Sequence, residues 1–283
     1  CRRMVACFDC LSTDWTRGTV PRPGGGRMRT FYTLTLTEWL EAWKEWKIVW
    51  LPLFFIALGV TQPLLLMYMD VLLAHVGNAD GIIVDPNRPA PQSLDVFSAT
   101  IHGQFNQLGL IVLIMSFMGL LASDRQTGMQ DFILTRPVSR NVYLLSKWFS
   151  HGMISLFGIL IGALTSYCLT VYWFGFLSPM LALRIISDFS LWTLFVVSLT
   201  LLISTYLQRA VPIGILSLII SLLLVVLPSL KLDVLFFTPG ALLSVPSNTS
   251  FFSSSHLIGV ASCLVWIVLT LGWSALRFRK TAY

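Results

Sequence analysis

The segment that decides the fold class is SHGMISLFGILIGALTSYCLTVYWF, residues 150–174. It contains no Asp, Glu, Lys or Arg, and about 20 apolar residues in a helix are enough to cross the hydrocarbon core of a bilayer. Apolar and polar residues do not alternate along it, as they would in a strand of a membrane β-barrel. The segment therefore predicts a membrane-spanning α-helix.

Five other apolar runs have the same character. Because a charge at the centre of a span costs about 2.5–3.5 kcal/mol on insertion scales, the gaps between charged residues mark the spans. The sequence predicts an all-α integral membrane protein with six transmembrane helices, at residues 48–69, 100–122, 150–174, 189–207, 211–230 and 257–276.

The composition of the whole chain agrees with this fold class. Hydrophobic residues make up 55% of the sequence and charged residues 11%, with a mean hydropathy of +0.77, whereas an average soluble domain is about 25% charged. The net charge of +6 comes from basic residues in short loops between apolar runs. Such a pattern sets membrane orientation, so we expect contact with lipid and no nucleic-acid partner.

Lysine and arginine are distributed unequally between the two sides of the predicted spans. With the N-terminus in the cytoplasm, 16 basic residues fall on the cytoplasmic side, and only Arg88, Arg184 and Lys231 fall outside. The positive-inside rule therefore predicts two cytoplasmic termini in a multi-pass protein of the cell (plasma) membrane.

Residues 1–27 differ from the rest of the chain. They hold five arginines and the stretch PRPGGGR at residues 21–27, and they lack the apolar run of about 7–15 residues that a secretory signal requires. We expect either a poorly ordered extension or sequence upstream of a start at Met28. A single domain at residues 28–283 follows.

Ahead of the first span, the sequence TLTEWLEAWKEWK at residues 35–47 has an aromatic face. Thr35 and Glu38 have the spacing of a capping box, which predicts a helix that begins near Thr35. Such a helix is expected to lie in the membrane interface, and the less favoured alternative is a cytosolic extension of the first span. Its apolar residues recur at helical spacing: Leu36, Trp39, Leu40, Trp43 and Trp46.

Motifs for catalysis are absent from the sequence. There is no G-x-x-x-x-G-K-[ST] phosphate loop, no H-E-x-x-H and no G-x-S-x-G, the signatures of nucleotide binding, zinc proteolysis and acyl transfer. No acidic residue falls inside a predicted span. The four histidines are isolated and lie near span ends: His75, His102, His151 and His256. We therefore expect no catalytic, cofactor-binding or metal-binding residues in this chain.

The second predicted span opens with the polar residues His102, Gln104, Asn106 and Gln107. The three amide side chains could line a translocation path, or they could hydrogen-bond to neighbouring helices. Helix packing is the commoner use of such residues in membranes.

The loop after the second span contains more charged residues than any other segment between predicted spans. It has the sequence ASDRQTGMQDFILTRPVSRNVYLLSKW at residues 122–148. Phe132, Ile133 and Leu134 give it an apolar ridge, and Pro137 ends any helix before Val138. A short helix on the cytoplasmic face that docks onto a partner would fit this pattern. A solvated connection that only fixes orientation is the alternative.

This loop resembles that of the type-2 ABC exporter permeases, the membrane domains of ATP-binding-cassette transporters. That family has an acidic residue after the second span, then a glycine, a Leu-x-x-Pro-Val-Ser-Arg-like stretch and a lysine that opens the third span. Here these positions are Asp124, Gly128, the stretch LTRPVSR at residues 134–140, and Lys147. Glutamate is usual where this chain has Asp124.

The resemblance covers residues 28–283 and implies an interfacial elbow helix, six spans and cytoplasmic ends. It also favours a re-entrant hairpin over an ordinary outer loop at residues 234–256. It implies a permease that pairs with a second permease chain and is driven by a cytoplasmic ATPase dimer. ATP and magnesium would bind to that partner and not to this chain. An amphipathic substrate (a peptide antibiotic, drug or lipid-like molecule) is expected from the family.

The resemblance and the polar start of the second span indicate two sets of candidate functional residues. The ATPase-coupling loop would consist of Asp124, Arg125, Gly128, Asp131, Phe132, Leu134, Arg136, Pro137 and Arg140. The candidates for the path are Gln104, Asn106 and Gln107.

Two other functions stay open. A secondary transporter or channel working alone is disfavoured by the absence of an acidic residue from the predicted spans, because ion-coupled carriers usually keep one there. A membrane scaffold in a metal-centre or envelope assembly complex is the other alternative.

Overall fold

A computed structural model describes residues 26–69, 92–128, 139–230, 237–246 and 253–280. Every regular element in these ranges is helical. The α-helices are α1 (Gly26–Lys44), α2 (Lys47–Met67), α3 (Ser93–Ser98), α4 (Leu110–Phe117), α5 (Ala122–Gln126), α6 (Arg140–Phe174), α7 (Pro179–Tyr206), α8 (Ala210–Val226), α9 (Ala241–Ser244) and α10 (Ser254–Lys280). A π-helical segment (Ala99–Gly109) joins α3 to α4, and a 3₁₀ turn (Leu227–Leu230) follows α8.

Five helical stretches are long and apolar enough to cross a membrane: Lys47–Met67, Ser93–Gln126, Arg140–Phe174, Pro179–Tyr206 and His256–Phe278. The prediction of an all-α fold with several helices suited to a membrane is therefore confirmed. The helix α8 has 17 residues, a length of about 26 Å, which is slightly less than the roughly 30 Å of hydrocarbon. The count of six spans stays a prediction.

The first helix begins earlier than the capping-box spacing predicts. Thr35 lies in the interior of α1, and its hydroxyl donates to the carbonyl oxygen of Phe31 at 2.9 Å, a common use of threonine within a helix. The prediction of a helix start near Thr35 is therefore wrong. The helix ends before a turn at Trp46, whose φ of 60° lies in the left-handed region, and α2 begins at Lys47.

The helices α2 and α6 are in direct backbone contact. A Cβ atom added to Gly59 would lie 2.5 Å from the carbonyl oxygen of Gly162, and one added to Gly162 would lie 2.6 Å from Cβ of Phe55. Small residues allow this close approach, which is a common basis of helix association in membranes.

The helix α7 occupies the centre of the molecule. Its side chains Phe189, Trp192 and Phe195 are fully buried. The helix α10 packs along it, and the hydroxyl groups of Ser198 and Thr270 are 2.9 Å apart across this contact.

The helices α6, α7 and α10 meet at one end of the bundle. The ring of Phe278, near the end of α10, stacks on Tyr143 near the start of α6, with 6.1 Å between ring centroids. Beside them, the guanidinium of Arg277 lies 4.9 Å from the ring centroid of Tyr206, at the end of α7. This end also holds Lys147, and we call it the Lys147 end.

Candidate functional site

A buried group of charged residues joins three helices at the Lys147 end. Nζ of Lys147 lies 2.8 Å from Oε1 of Glu38 and 2.8 Å from Oδ2 of Asp124. The lysine side chain is 3% exposed, and the two carboxylates are 13% and 14% exposed. These three residues, together with Tyr143 and His151, form what we call the Lys147 cluster.

The helix α6 supplies three members of this cluster from one face. Tyr143, Lys147 and His151 are four residues apart, so they lie one above another along the helix. The Tyr143 hydroxyl donates to the Asp124 carboxylate, and Nε2 of His151 is 3.3 Å from Oε2 of Glu38. Asp124 comes from the first turn of α5 and Glu38 from the middle of α1. The cluster therefore fixes α1, α5 and α6 relative to one another.

The charges of the cluster depend on one another. Burial alone would raise the pKa of Glu38, but the hydrogen bond with His151 and the positive charge of Lys147 hold this pKa at about 2. Removal of one partner from a buried ion pair leaves an uncompensated charge, which typically costs 3–5 kcal/mol. Glu38 is thus an ionised carboxylate that needs its partners.

The residue next to Asp124 connects the same short helix to α7. Nη1 of Arg125 donates to the carbonyl oxygens of Ser204 and Leu207 at 3.1 and 3.2 Å. These carbonyls lie at the C-terminal end of α7, where a cation is favoured by the helix dipole. Asp124 and Arg125 therefore attach the end of the second span to α6 and α7, and Lys147 extends this connection to α1.

The sequence is similar to that of a known bacterial membrane protein. The chain is 34% identical over 179 residues to the uncharacterized transmembrane protein YxlG of Bacillus subtilis (strain 168). The aligned region covers 63% of this chain and 68% of YxlG. This chain belongs to the YxlG family. No protein-family model matches it. Membership in the YxlG family agrees with the helical membrane fold.

The loop residues named from the sequence are only partly within the described ranges. In this YxlG-family chain, Asp124 and Arg125 are brought into contact with the rest of the bundle. Gly128 has a φ of +71°, a conformation that favours glycine, and Arg140 is the first residue of α6. The remaining five predicted residues lie outside the described residues: Asp131, Phe132, Leu134, Arg136 and Pro137.

Sequence reasoning missed Glu38 and misjudged His151. Glu38 was assigned to a capping box, although it pairs with Lys147, and His151 is a buried partner of Glu38 and not an isolated interfacial residue. The spacing of four between Tyr143, Lys147 and His151 was a signal for a shared polar face. The helix α1 is distant in sequence, so no local pattern could indicate its contact.

The three path candidates have different surroundings. Oδ1 of Asn106 accepts a hydrogen bond from Nε1 of Trp192 at 3.2 Å, inside the bundle. Gln107 is exposed, and the buried Oε1 of Gln104 has no hydrogen-bond partner among the described residues. All three lie in the π-helical segment Ala99–Gly109, a backbone form that is often found at functional sites.

A second buried charged group, the Asp188 cluster, lies in the half of the bundle away from Lys147. Oδ1 of Asp188 is 2.7 Å from Nε2 of His256, and Oδ2 is 3.5 Å from Nε of Arg184. Nη1 of Arg184 donates to the carbonyl oxygen of Pro246 at 3.0 Å. The cluster thereby joins α7, α10 and the segment after α9.

The Asp188 cluster corrects two expectations from the sequence. The fourth span was expected to begin at Phe189, but α7 begins at Pro179, so Asp188 lies within a helix that can span the membrane. The longer helical stretch Pro179–Tyr206 thus contains an acidic residue, although the predicted span at residues 189–207 does not. His256 was expected to be isolated, and it is instead paired with this carboxylate.

Proposed function

We propose that this YxlG-family chain is the membrane-spanning permease subunit of an ATP-binding-cassette exporter, driven by a separate cytoplasmic ATPase dimer. The observation that carries the proposal is the contact of Asp124 with Lys147. These residues begin and end the charged loop that resembles the coupling loop of such permeases, and they are 2.8 Å apart. A displacement of the loop would therefore move α5 and α6 together.

The attachments around this pair suit the transmission of movement. Glu38 adds α1 to the ion pair, and Arg125 adds the end of α7. Binding of the loop in a groove of the ATPase would then act on three separate helices at once. Gly128, Asp131, Phe132, Leu134, Arg136, Pro137 and Arg140 would form the part of the loop that contacts the ATPase.

The proposed orientation places the Lys147 end in the cytoplasm. The excess of basic residues on that side supports it. The aromatic face of α1 supports an elbow helix in the membrane interface, since these side chains are open to the surroundings. Leu36, Trp39, Leu40, Trp43 and Trp46 are each between 38% and 68% exposed.

The complete transporter would contain two permease chains, identical or paralogous, with α8 as a sixth span in each. The segment at residues 234–256, of which α9 is one part, would form the re-entrant hairpin. Gln107, which is exposed on the π-helical segment, and Gln104 would face the path of an amphipathic substrate. ATP and magnesium would bind only to the ATPase.

Affinity purification from native membranes tests the proposal. We expect a soluble ATPase with a phosphate loop to copurify with the chain, and we expect its rate of ATP hydrolysis to change on assembly. Gly128→Trp should keep membrane insertion but remove this change, because a bulky residue is strained at a φ of +71°. Purification of the chain alone, fully active in transport, would contradict the proposal.

The Asp188 cluster favours one other function, that of a proton-coupled secondary transporter. A buried carboxylate within a membrane helix is often a proton-binding group. In that case transport would depend on the proton gradient and not on an ATPase, and Asp188→Asn would abolish it. Transport that stops on ATP depletion while the gradient is maintained would exclude this second candidate.

A further inference from the structure

A cleft of about 500 Å³ opens beside the Lys147 cluster, between α1, the start of α2 and the turn that precedes α5. This volume is within the range of about 300–1,000 Å³ that is typical of small-molecule sites. None of the functions considered above uses this cleft. Its lining has three features that together indicate a ligand.

The first feature is an excess of negative charge. Lys147 pairs with two of the carboxylates, and Lys47 pairs with Glu45 at 2.5 Å. The carboxylate of Glu41 has no ion pair or hydrogen bond within the described part of the chain. Its partial burial and the neighbouring Glu38 charge raise the pKa of Glu41. The charged residues that line the cleft are Glu38, Glu41, Glu45, Asp124, Lys47 and Lys147.

The second feature is an apolar and polarizable wall. Trp50, Met115 and Met118 also line the cleft. The face of an indole attracts organic cations. Methionine side chains adapt to ligands of irregular shape. This wall suits a ligand with a sizeable apolar body.

The third feature is a pair of unpaired polar atoms, both buried, on residues that line the cleft. Nδ1 of His151 and Oγ of Ser116 have no hydrogen-bond partner among the described residues, and His151 is only 7% exposed. Buried polar atoms are nearly always hydrogen-bonded in native proteins. A ligand could satisfy these atoms only after a small movement of the two side chains toward the cleft, so the proposal rests mainly on the charge and the apolar wall of the cleft.

We propose that this cleft binds an organic cation with an apolar body, whose charge lies against Glu41 and whose body packs on Trp50 and the two methionines. An anion would be repelled by the excess of carboxylates. A metal ion does not suit the site, because no group of three or more His, Cys, Asp or Glu in the described residues is arranged to hold one. The proposal does not depend on the presence of an ATPase.

Tetraphenylphosphonium is a suitable probe, since it combines a delocalised positive charge with an apolar surface. Equilibrium dialysis of the radiolabelled cation against lipid nanodiscs, with and without the purified full chain, separates binding to the protein from partitioning into lipid. Tetraphenylborate has nearly the same shape and the opposite charge, so it serves as the matched control ligand. We expect saturable binding of the cation and none of the anion.

Two variants in the cleft, Glu41→Gln and Gly119→Leu, test whether the cation binds there. Glu41→Gln should weaken binding of tetraphenylphosphonium about fivefold, the effect of losing one partly exposed charge, whereas Asp95→Asn, an exposed acid in α3, should leave it unchanged. Gly119→Leu should weaken binding more than tenfold, because this glycine lines the cleft and a Cβ atom there would have no neighbour closer than 4.0 Å. Thermal unfolding of each variant checks that the fold is intact.

Each result of the binding experiment either supports or overturns the proposal. Saturable binding of the cation that is weakened by both cleft variants supports the proposal. Equal binding of tetraphenylborate, binding that neither variant alters, or no saturable binding at all would each overturn it. The last result would also be obtained if the cleft instead receives a basic side chain of a partner protein.

Discussion

At the scale of single residues, Lys147 is the side chain on which the charged group between α1, α5 and α6 depends. It is the only lysine or arginine that contacts the carboxylates of Glu38 and Asp124 in the ion pairs that the described residues form. Both carboxylates are mostly buried, so they cannot recover solvation by water when the lysine is removed.

We therefore expect Lys147→Met to destabilise the protein by about 3–5 kcal/mol. The methionine keeps the approximate volume of the side chain and removes the charge. The measurement is the free energy of unfolding in mixed micelles titrated with a denaturing detergent. Lys44→Met, at an exposed position of α1, is the matched control and should change stability by less than about 0.5 kcal/mol. Equal effects of the two substitutions would show that the ion pairs do not stabilise the fold.

The pKa of Glu38 predicts how stability varies with pH. In the folded protein this pKa is about 2, compared with 4.5 for an unperturbed glutamate. The stabilisation is fully present above pH 4.5 and is lost as the pH falls toward 2, because the unfolded chain takes up the proton first. We expect the free energy of unfolding to decrease from pH 6 to pH 3, and to decrease less in Glu38→Gln. Identical pH dependences in the two proteins would contradict the assigned role of Glu38.

At the scale of the elements, the contact between α2 and α6 depends on two glycines. Because a Cβ atom at Gly162 would lie 2.6 Å from both Cβ and the carbonyl oxygen of Phe55, no side chain fits there without separating the helices. This contact holds α2 against the helix that carries Lys147.

Gly162→Ala should therefore lower the free energy of unfolding by about 1–3 kcal/mol or more, the usual effect of overpacking. Gly272→Ala in α10 is the matched control, since a Cβ atom there would have no neighbour within 4 Å. It should leave stability unchanged or raise it by up to about 1 kcal/mol, because alanine is the better helix former. The same detergent titration measures both variants, and a loss of stability in both would point to a cause other than helix contact.

The sequence predicted some of these helices more accurately than others, for physical reasons. Long charge-free runs mark α2 and α6 because an unpaired charge is costly in lipid. The same rule placed the start of the fourth span at Phe189, ten residues after the first residue of α7, because Asp188 ends the charge-free run. In the structure the helix includes both Arg184 and Asp188, which pair with each other four residues apart. The i, i+4 spacing of these opposite charges was a usable signal. His256, which completes the group, lies too far along the chain for any local pattern.

The candidate site was predicted in part. Asp124 and Lys147 were identified because the loop resembles a known family, and both belong to the buried cluster. Glu38 could not be identified in this way, because its contact with Lys147 joins residues that are more than 100 positions apart in the chain. Burial of charge across distant elements is a property of packing, which composition and spacing do not record.

At the scale of the whole molecule, α6 shows how a buried charged cluster is compatible with a membrane fold. Its 35 residues make a helix of about 52 Å, whereas the hydrocarbon core is roughly 30 Å thick. The turns that carry Tyr143 and Lys147 can therefore extend beyond the hydrocarbon. There they would be within reach of a soluble partner, provided that the Lys147 end faces the cytoplasm.

Accessibility of Thr127 to a membrane-impermeant maleimide in intact cells is the most direct test of this requirement. Thr127 is exposed beside Arg125, and Phe176, which is 82% exposed at the other end of α6, is the matched position. In a variant without native cysteines, Thr127→Cys should react only after the cells are permeabilised, and Phe176→Cys should react without permeabilisation. Reaction of Thr127→Cys in intact cells would place the loop outside the cell, beyond the reach of any cytoplasmic ATPase, and would contradict the proposed function.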